Sequence, residues 1–176
     1  MQEEKVILVD ELDNQLGLMP KMEAHLKGLL HRAFSVIIFN SEGKILLQKR
    51  ASTKYHTPNL WSNTCCSHQR QHENNIDAGK RRLKEEMGFI TDLQNFDSFI
   101  YKVKFPNGLT EHENDHIILG VYDGIPKPNP EEVDEWKWMC INKLVVDMKK
   151  NPANYTAWFR IIMDKYSQSL IKWKSQ

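Results

Sequence analysis

The chain has 176 residues, 24 basic against 23 acidic side chains, seven histidines and a formal net charge of +1. That length suits one domain with a real core, while the balanced charge removes the bulk electrostatic case for nucleic acid or a membrane surface, and no apolar run approaches the ~18 residues of a spanning helix. Three cysteines, two of them adjacent, make no disulfide framework, and Met1-Gln2-Glu3-Glu4-Lys5 lacks the basic and apolar regions of a signal peptide, so the expected setting is a reducing cytoplasm where thiols stay free for chemistry.

Val6 to Val9 alternates into a first strand, expected to pair with the segment near Leu16 to Met19. Arg32 to Asn40 and Lys44 to Arg50 are runs rich in Val, Ile, Leu and Phe joined by the turn signal Ser41-Glu42-Gly43, which predicts two further strands. Leu60 to Cys65 reads as another strand, and Asn74 to Met87 as a helix ended by Gly88. Phe96 to Phe105 and Thr110 to Tyr122 flank Pro106-Asn107-Gly108, a hairpin signal. Trp136 to Cys140 is the last short strand, followed by helical stretches near Ile141 to Lys149 and Pro152 to Trp173. With no internal repeat, low-complexity tract or long linker, the reading is one compact α/β unit.

The stretch richest in chemistry is Ser62-Asn63-Thr64-Cys65-Cys66-Ser67-His68, followed by Glu73 and Arg81-Arg82-Leu83-Lys84-Glu85-Glu86-Met87-Gly88-Phe89. From Ser67 onward it resembles the signature of the Nudix family, G-x5-E-x7-R-E-U-x-E-E-x-G-U, where U is a bulky apolar residue. Two positions depart from it: Ser67 replaces the opening Gly, and Arg82 replaces the Glu that follows the first Arg. Residues three and four apart share a helix face, so positions 82, 85 and 86 look the same way. In Nudix hydrolases that face carries a fan of carboxylates that holds divalent cations against a diphosphate. A guanidinium at 82 repels a metal and grips phosphate in a bidentate fork. Taken alone, Arg81 with Glu85 and Arg82 with Glu86 are best read as surface pairs worth a few tenths of a kcal/mol each. The matched spacing over the whole box points instead to a diphosphate site that has lost hydrolytic machinery.

Such a relative has a counterpart elsewhere in the chain. The runs His25-Leu26-Lys27-Gly28-Leu29-Leu30-His31-Arg32-Ala33-Phe34-Ser35, Asn63-Thr64-Cys65-Cys66-Ser67-His68 and Glu111-His112-Glu113 closely resemble the type I isopentenyl-diphosphate delta-isomerase family, from about Val6 to Trp158. The resemblance implies a Nudix-type α/β/α sandwich with a mixed sheet and added C-terminal helices, a single catalytic domain over 1–176 with a short N-terminal extension. It implies a small-molecule substrate, isopentenyl diphosphate, with no nucleic acid or membrane partner, in a monomer or weak homodimer. A lid formed by the residues up to Leu30 is a further expectation, because Lys21 and His25 precede the main sheet.

By the same resemblance, His25, His31, His68, Glu111 and Glu113 hold one divalent metal, Mn²⁺ or Zn²⁺. Glu86 matches a position that binds Mg²⁺ with the substrate diphosphate, and Lys21, Arg50, Lys54 and Arg82 match diphosphate contacts. Cys66 and Glu113 become the acid/base pair, with Trp158 over the developing cation and Tyr101 orienting Glu111. The residues agree chemically: Glu111 and Glu113 are two apart in a strand and share a face that Asp115 continues, and a mixed imidazole and carboxylate set suits Zn²⁺, Mn²⁺ or Fe²⁺. Any one histidine alone is more often a surface or hydrogen-bonded residue, and His56, His72, His112 and His116 are left there. A thiol beside a metal site can have its pKa pulled toward neutrality. Cys65 points to the opposite strand face from Cys66, Cys140 has no motif around it, and Trp61, Trp136, Trp138 and Trp173 are assigned to packing.

Two competing classes remain. A Nudix diphosphate hydrolase predicts Glu at position 82 and has no use for Cys66. A non-catalytic diphosphate-binding module tolerates the altered box but leaves Cys66, His68, Glu111 and Glu113 unexplained.

Overall fold

The computed structural model describes residues 4–54 and 56–174; the first three residues of the expected lid lie outside them. Strand β3 (His31–Phe39) is apolar on both faces, the pattern of a strand covered on each side. It pairs in parallel with β8 (Thr110–Val121) along its whole length. It also meets β1 (Lys5–Val9), β4 (Lys44–Arg50) and β6 (Cys65–Ser67), all antiparallel. Beyond them, β2 (Gln15–Pro20) pairs with β1, β7 (Leu93–Lys104) with β8, and both β5 (Trp61–Ser62) and β9 (Val133–Cys140) with β4.

Alternation along β3 divides the core in two. Phe34, Val36 and Ile38 face helix α2 (Asn75–Met87), packing on its Ala78, Leu83 and Met87. Ile37 and Phe39 face the other way, onto α3 (Ile141–Lys150) and α4 (Ala157–Lys174) through Leu144, Phe159 and Ile162. Helices therefore cover both faces of a mixed sheet, which is the expected α/β/α sandwich with C-terminal helices added. Trp136 and Trp138 pack on the α2 side and Trp61 and Trp173 on the other. No described helix is long and apolar enough to cross a membrane.

Helix α2 begins where Asn74 accepts the Asp77 backbone N–H at 2.9 Å and ends at Gly88, whose φ of 77° is left-handed. A Cβ at Gly88 would lie 2.2 Å from the Lys127 carbonyl oxygen, so the Gly of the box is also a packing requirement.

Three expectations need correction. The strand predicted over Leu60 to Cys65 is two short strands, because Asn63 and Thr64 between them spend their side chains on main-chain groups of neighbouring strands: Asn63 Nδ2 donates to the Val36 carbonyl at 3.2 Å and Thr64 Oγ1 to the Leu46 carbonyl at 2.7 Å. The helix predicted over Pro152 to Trp173 is broken after a 3₁₀ turn, Pro152–Asn154. There Thr156 donates its backbone N–H to the Trp61 carbonyl at 3.0 Å and Tyr155 bridges Trp61, so a sheet contact displaces helical pairing. A short helix, α1 (Lys21–Lys27), was not foreseen.

Candidate active site

Strand register assembles the centre of the site. His31 and Glu113 are direct partners across the parallel β3–β8 pair, and Tyr101 is the partner of Glu113 across β7–β8. Side chains directly opposite share a face, so Glu113 is flanked by an imidazole and a phenol. His68, just past β6, brings Nε2 to 3.1 Å from Glu113 Oε1. His25 comes from α1, which closes at Gly28 in a left-handed cap. His112 Nδ1 donates to the Gly28 carbonyl at 3.0 Å and ties this helix to β8.

One ligand atom from each of His25, His31, His68 and Glu113 lies within 4.8 Å of the others, and all four residues are buried. His25 Nδ1 donates to the Lys21 carbonyl at 2.7 Å and His31 Nδ1 to the Leu29 carbonyl at 2.8 Å. These bonds fix the tautomer and leave each Nε2 lone pair aimed inward, the outer-shell arrangement of metal-binding histidines. His25 Nε2 has no hydrogen-bond partner, and His31 Nε2 makes only a long approach of 3.5 Å to Glu113 Oε1; a buried nitrogen left so is costly unless something ligates it. The residues therefore fit a divalent cation.

The charges agree. Burial pushes His25 down and His68 down to about 3, so both favour the neutral ligand form. Burial also works against charge on His31, but the Glu113 carboxylate 3.5 Å away outweighs it and raises the ring. Burial would raise Glu113, yet the bonds to His31 and His68 hold it well below the usual carboxylate range. The cluster thus sets an ionised carboxylate among imidazoles, a donor set in which a bound cation would supply the positive charge.

Glu111 stands beside this group. Its Oε2 accepts from the Tyr101 hydroxyl at 3.0 Å and its Oε1 lies 2.8 Å from His56 Nε2. Burial, then the charge of Glu113, pushes it up to about 8. Tyr101 reaches Glu113 Oε2 at 2.6 Å as well, so it holds both glutamates. Asp115 continues the row but accepts from Ser35 Oγ at 2.8 Å.

Above the cluster lies a cavity of about 220 Å³. It brings together Lys21, Arg50, Lys54, Arg82, Glu86, Cys66, Tyr101, Glu111, Glu113, His68 and Trp158 from the sequence reading. His25 and His31 sit behind its wall. Sequence reasoning missed Glu132, Ser35 and His56 in the same lining. Glu132 pairs with Lys54, and with Arg82 at 3.3 Å. Lys21 pairs with Glu4 at 3.1 Å. Arg50 donates to the carbonyls of Thr57 and His56 at 3.2 and 3.3 Å, which aims its guanidinium along the cavity. Arg82 is no surface residue: it reaches Glu86 Oε1 at 2.8 Å, while Gln48 Nε2 donates to Glu86 Oε2 at 2.9 Å.

Cys66 faces this cavity with Arg50 Nη1 3.9 Å from its sulfur. The cavity walls enclose the sulfur, and burial pushes the thiol up to about 12 although Arg50 pulls it down. The protein's own groups therefore oppose the expected shift toward neutrality, because Glu86, Glu111 and Glu113 all disfavour a nearby thiolate. Cys65 lies in the core on the opposite face, as expected. Trp158 is 3 % exposed, with its Nε1–H donating to Asn63 Oδ1 at 3.2 Å, so the indole face is presented in a fixed orientation. No signal in the sequence marks His56 or Glu132 as site residues, since both lie in or beside loops and only the folded chain brings them in.

The NUDIX domain family model matches residues 29–159. The chain is 50% identical over 163 residues to isopentenyl-diphosphate Delta-isomerase 2 of Aromatoleum aromaticum, covering 93% of this chain and 86% of the relative. It is 46% identical over 172 residues to the isopentenyl-diphosphate Delta-isomerase of Serratia proteamaculans, covering 97% and 96%. Among solved structures, DR0079 from Deinococcus radiodurans superposes with a TM-score of 0.75 at 18% identity, covering 92% of this chain and 98% of that one. The MutT protein of Methanosarcina mazei gives 0.63 at 16%, covering 80% and 94%; these two carry the fold alone.

Proposed function

The chain belongs to the isopentenyl-diphosphate Delta-isomerase family within the Nudix superfamily, and from that premise we propose that it interconverts isopentenyl diphosphate and dimethylallyl diphosphate by proton addition and removal within the cavity above Glu113. The carrying observation is the shared lining of that cavity: a thiol, Cys66, and a buried glutamate, Glu113, together with the cationic side chains of Lys21, Arg50, Lys54 and Arg82. Adding a proton to the terminal methylene of the substrate leaves a tertiary cation-like carbon, and loss of a proton from the carbon nearer the diphosphate completes the shift of the double bond. No redox step is needed. Such a path needs an acid, a base, a cation stabiliser and exclusion of water.

Cys66 and Glu113 are the acid and base of this reading, and the high pKa of the thiol accords with a group that rests protonated. Tyr101 shares its one hydroxyl hydrogen between Glu113 and Glu111, at 2.6 and 3.0 Å. Trp158 offers its indole face to the positive carbon, an attraction of about 2 kcal/mol or more when desolvated. Arg50, Lys54, Lys21 and Arg82 bind the diphosphate, the last three exchanging their present carboxylate partners for phosphate oxygens.

His25, His31, His68 and Glu113, with Glu111 beside them, hold one divalent ion, Mn²⁺ or Zn²⁺ by ligand type. Glu86 takes Mg²⁺ with the diphosphate. When bound, these ions supply charge that orients Glu113 and neutralises the diphosphate. The setting is the cytoplasm, in a single catalytic domain acting as a monomer or weak homodimer. A hydrolase reading would need a carboxylate at position 82, where Arg82 stands.

Proton NMR of isopentenyl diphosphate with the protein, Mg²⁺ and Mn²⁺ or Zn²⁺ in deuterated buffer tests the reading. Dimethylallyl diphosphate carrying deuterium is expected. Phosphate release without isomerisation would replace it with the hydrolase.

A further inference from the structure

His56 lies in the loop 51–60 that joins β4 to β5, the loop that follows Arg50 and carries Lys54. It connects two parts of the site that the sheet does not join. On one side, its backbone carbonyl accepts from Arg50 Nη2 at 3.3 Å. On the other, its ring Nε2 lies 2.8 Å from Glu111 Oε1, with the two side chains 11% and 4% exposed. The ring is set between aromatic neighbours, its centroid 6.1 Å from Phe105 and 6.1 Å from Trp158. A ring packed in that way has few rotamers open to it, so its nitrogen is a fixed point for Glu111.

From Glu111 the path continues without a break. Its second oxygen accepts from Tyr101 at 3.0 Å, Tyr101 reaches Glu113 at 2.6 Å, and Glu113 Oε1 meets His68 Nε2 at 3.1 Å. Tyr101 alone does not fix Glu111, since one hydroxyl hydrogen is shared between two carboxylates. A second contact on Oε1 removes the remaining rotation of that carboxylate.

We propose that His56 is a positioning residue that fixes Glu111 beside the histidine–glutamate cluster and so links the diphosphate-binding loop to the metal-binding centre. The proposal rests on the isomerase reading for its kinetic consequence but not for its structural one. The side chain acts on Glu111, whereas the hold on Arg50 is made by the backbone. Replacing the side chain therefore separates the two: metal affinity and kcat change, while the diphosphate grip that dominates KM stays.

The test uses His56→Phe, which keeps an aromatic ring against Trp158 and Phe105 but has no nitrogen, and His56→Gln, whose amide nitrogen can reach where Nε2 stands. Metal-stripped proteins are titrated with Zn²⁺ by calorimetry, and kcat and KM for isopentenyl diphosphate are measured on the reloaded proteins. Loss of an outer partner of a metal site weakens binding by about 10–100-fold. His56→Phe is expected to bind Zn²⁺ about tenfold or more weakly and to lose kcat in proportion with KM within about twofold, and His56→Gln to recover most of both. Equal Zn²⁺ affinity in all three proteins overturns the proposal, as does a Gln variant no better than Phe. Should the unsubstituted protein fail to isomerise, the function falls while the Zn²⁺ titration still decides the role of His56.

Discussion

Arg82 and Glu86, one turn apart on α2, form an ion pair at 2.8 Å inside the cavity wall, at the box position where a hydrolase would place a further carboxylate. Glu86 is 3% exposed, so removing its partner leaves a buried charge that keeps the Gln48 amide at 2.9 Å but has lost its cation. Arg82→Gln is expected to cost about 2 kcal/mol of stability, the range for a hydrogen bond to a charged group. It should also raise KM for isopentenyl diphosphate about tenfold, equivalent to ~1.4 kcal/mol. Urea denaturation and steady-state kinetics check both, and an unchanged KM would remove Arg82 from the diphosphate site.

Cys66→Ala removes the thiol proposed as one of the two proton-carrying groups and is expected to leave the fold intact. Isomerisation is expected to fall roughly 10²–10⁴-fold, the span of general acid–base catalysis. Thermal denaturation should move little, because Cys66 borders a cavity. Deuterium incorporation into product is the readout, and turnover within a factor of two of the unsubstituted protein would reassign the acid.

Trp158→Phe keeps an aromatic face but weakens it. An attraction of about 2 kcal/mol for a desolvated cation over indole corresponds to a loss of up to roughly 30-fold in kcat when the face is poorly replaced. KM should change less than kcat, since Trp158 meets the proposed diphosphate site through Arg50, whose guanidinium carbon lies 5.4 Å from the ring centroid. Loss confined to KM would place Trp158 among the binding groups and away from the cation.

Stripping the divalent metal should abolish turnover and lower stability together. A ligand present at about 100 times its dissociation constant adds about 2.7 kcal/mol. Calorimetric melting with and without added Zn²⁺ measures this, and in His31→Ala the increment should vanish. An increment that persists in His31→Ala would locate the ion elsewhere.

Glu73 receives Arg81 at 2.6 Å and 2.8 Å and the Arg70 backbone N–H at 2.8 Å. The Arg81 hydrogen bond, despite some opposing burial, holds this carboxyl below its ordinary range. A folded pKa below the unfolded one means that the stabilisation is complete above the unfolded value and is lost as pH falls through the folded value. The stability gap between the unsubstituted protein and Glu73→Gln should therefore be widest near neutrality and close below the ordinary glutamate range of about 4.3. A gap that stays constant across that window would contradict the assignment.

Most of the strands and α2 were legible in the sequence because period and turn chemistry mark them. The hairpin around Pro106-Asn107-Gly108 and the cap at Gly88 are local signals that tertiary contacts reinforce. What was not legible depends on distant partners. The break before α4 exists because Thr156 and Tyr155 meet Trp61, and no local pattern near residue 155 foretells that. Site residues that match a motif, such as His31, His68 and Glu113, could be named in advance. His56 and Glu132 could not, because a loop residue becomes part of a site only when the chain closes around it.

Two neighbouring thiols of identical chemistry, Cys65 and Cys66, are told apart only by the pleat of a three-residue strand. Sliding β6 by one residue along β3 would exchange them, sending the cavity thiol into the core and the core thiol into the cavity. Nothing at either sulfur forbids this. What forbids it is the pair of side chains just upstream: Asn63 Nδ2 clasps the Val36 and Cys65 carbonyls at 3.2 and 2.8 Å, and Thr64 Oγ1 accepts the Ile38 backbone N–H at 3.0 Å. Asn63 and Thr64 thus act as an alignment pin, choosing which of two equivalent atoms faces the cavity without touching either sulfur.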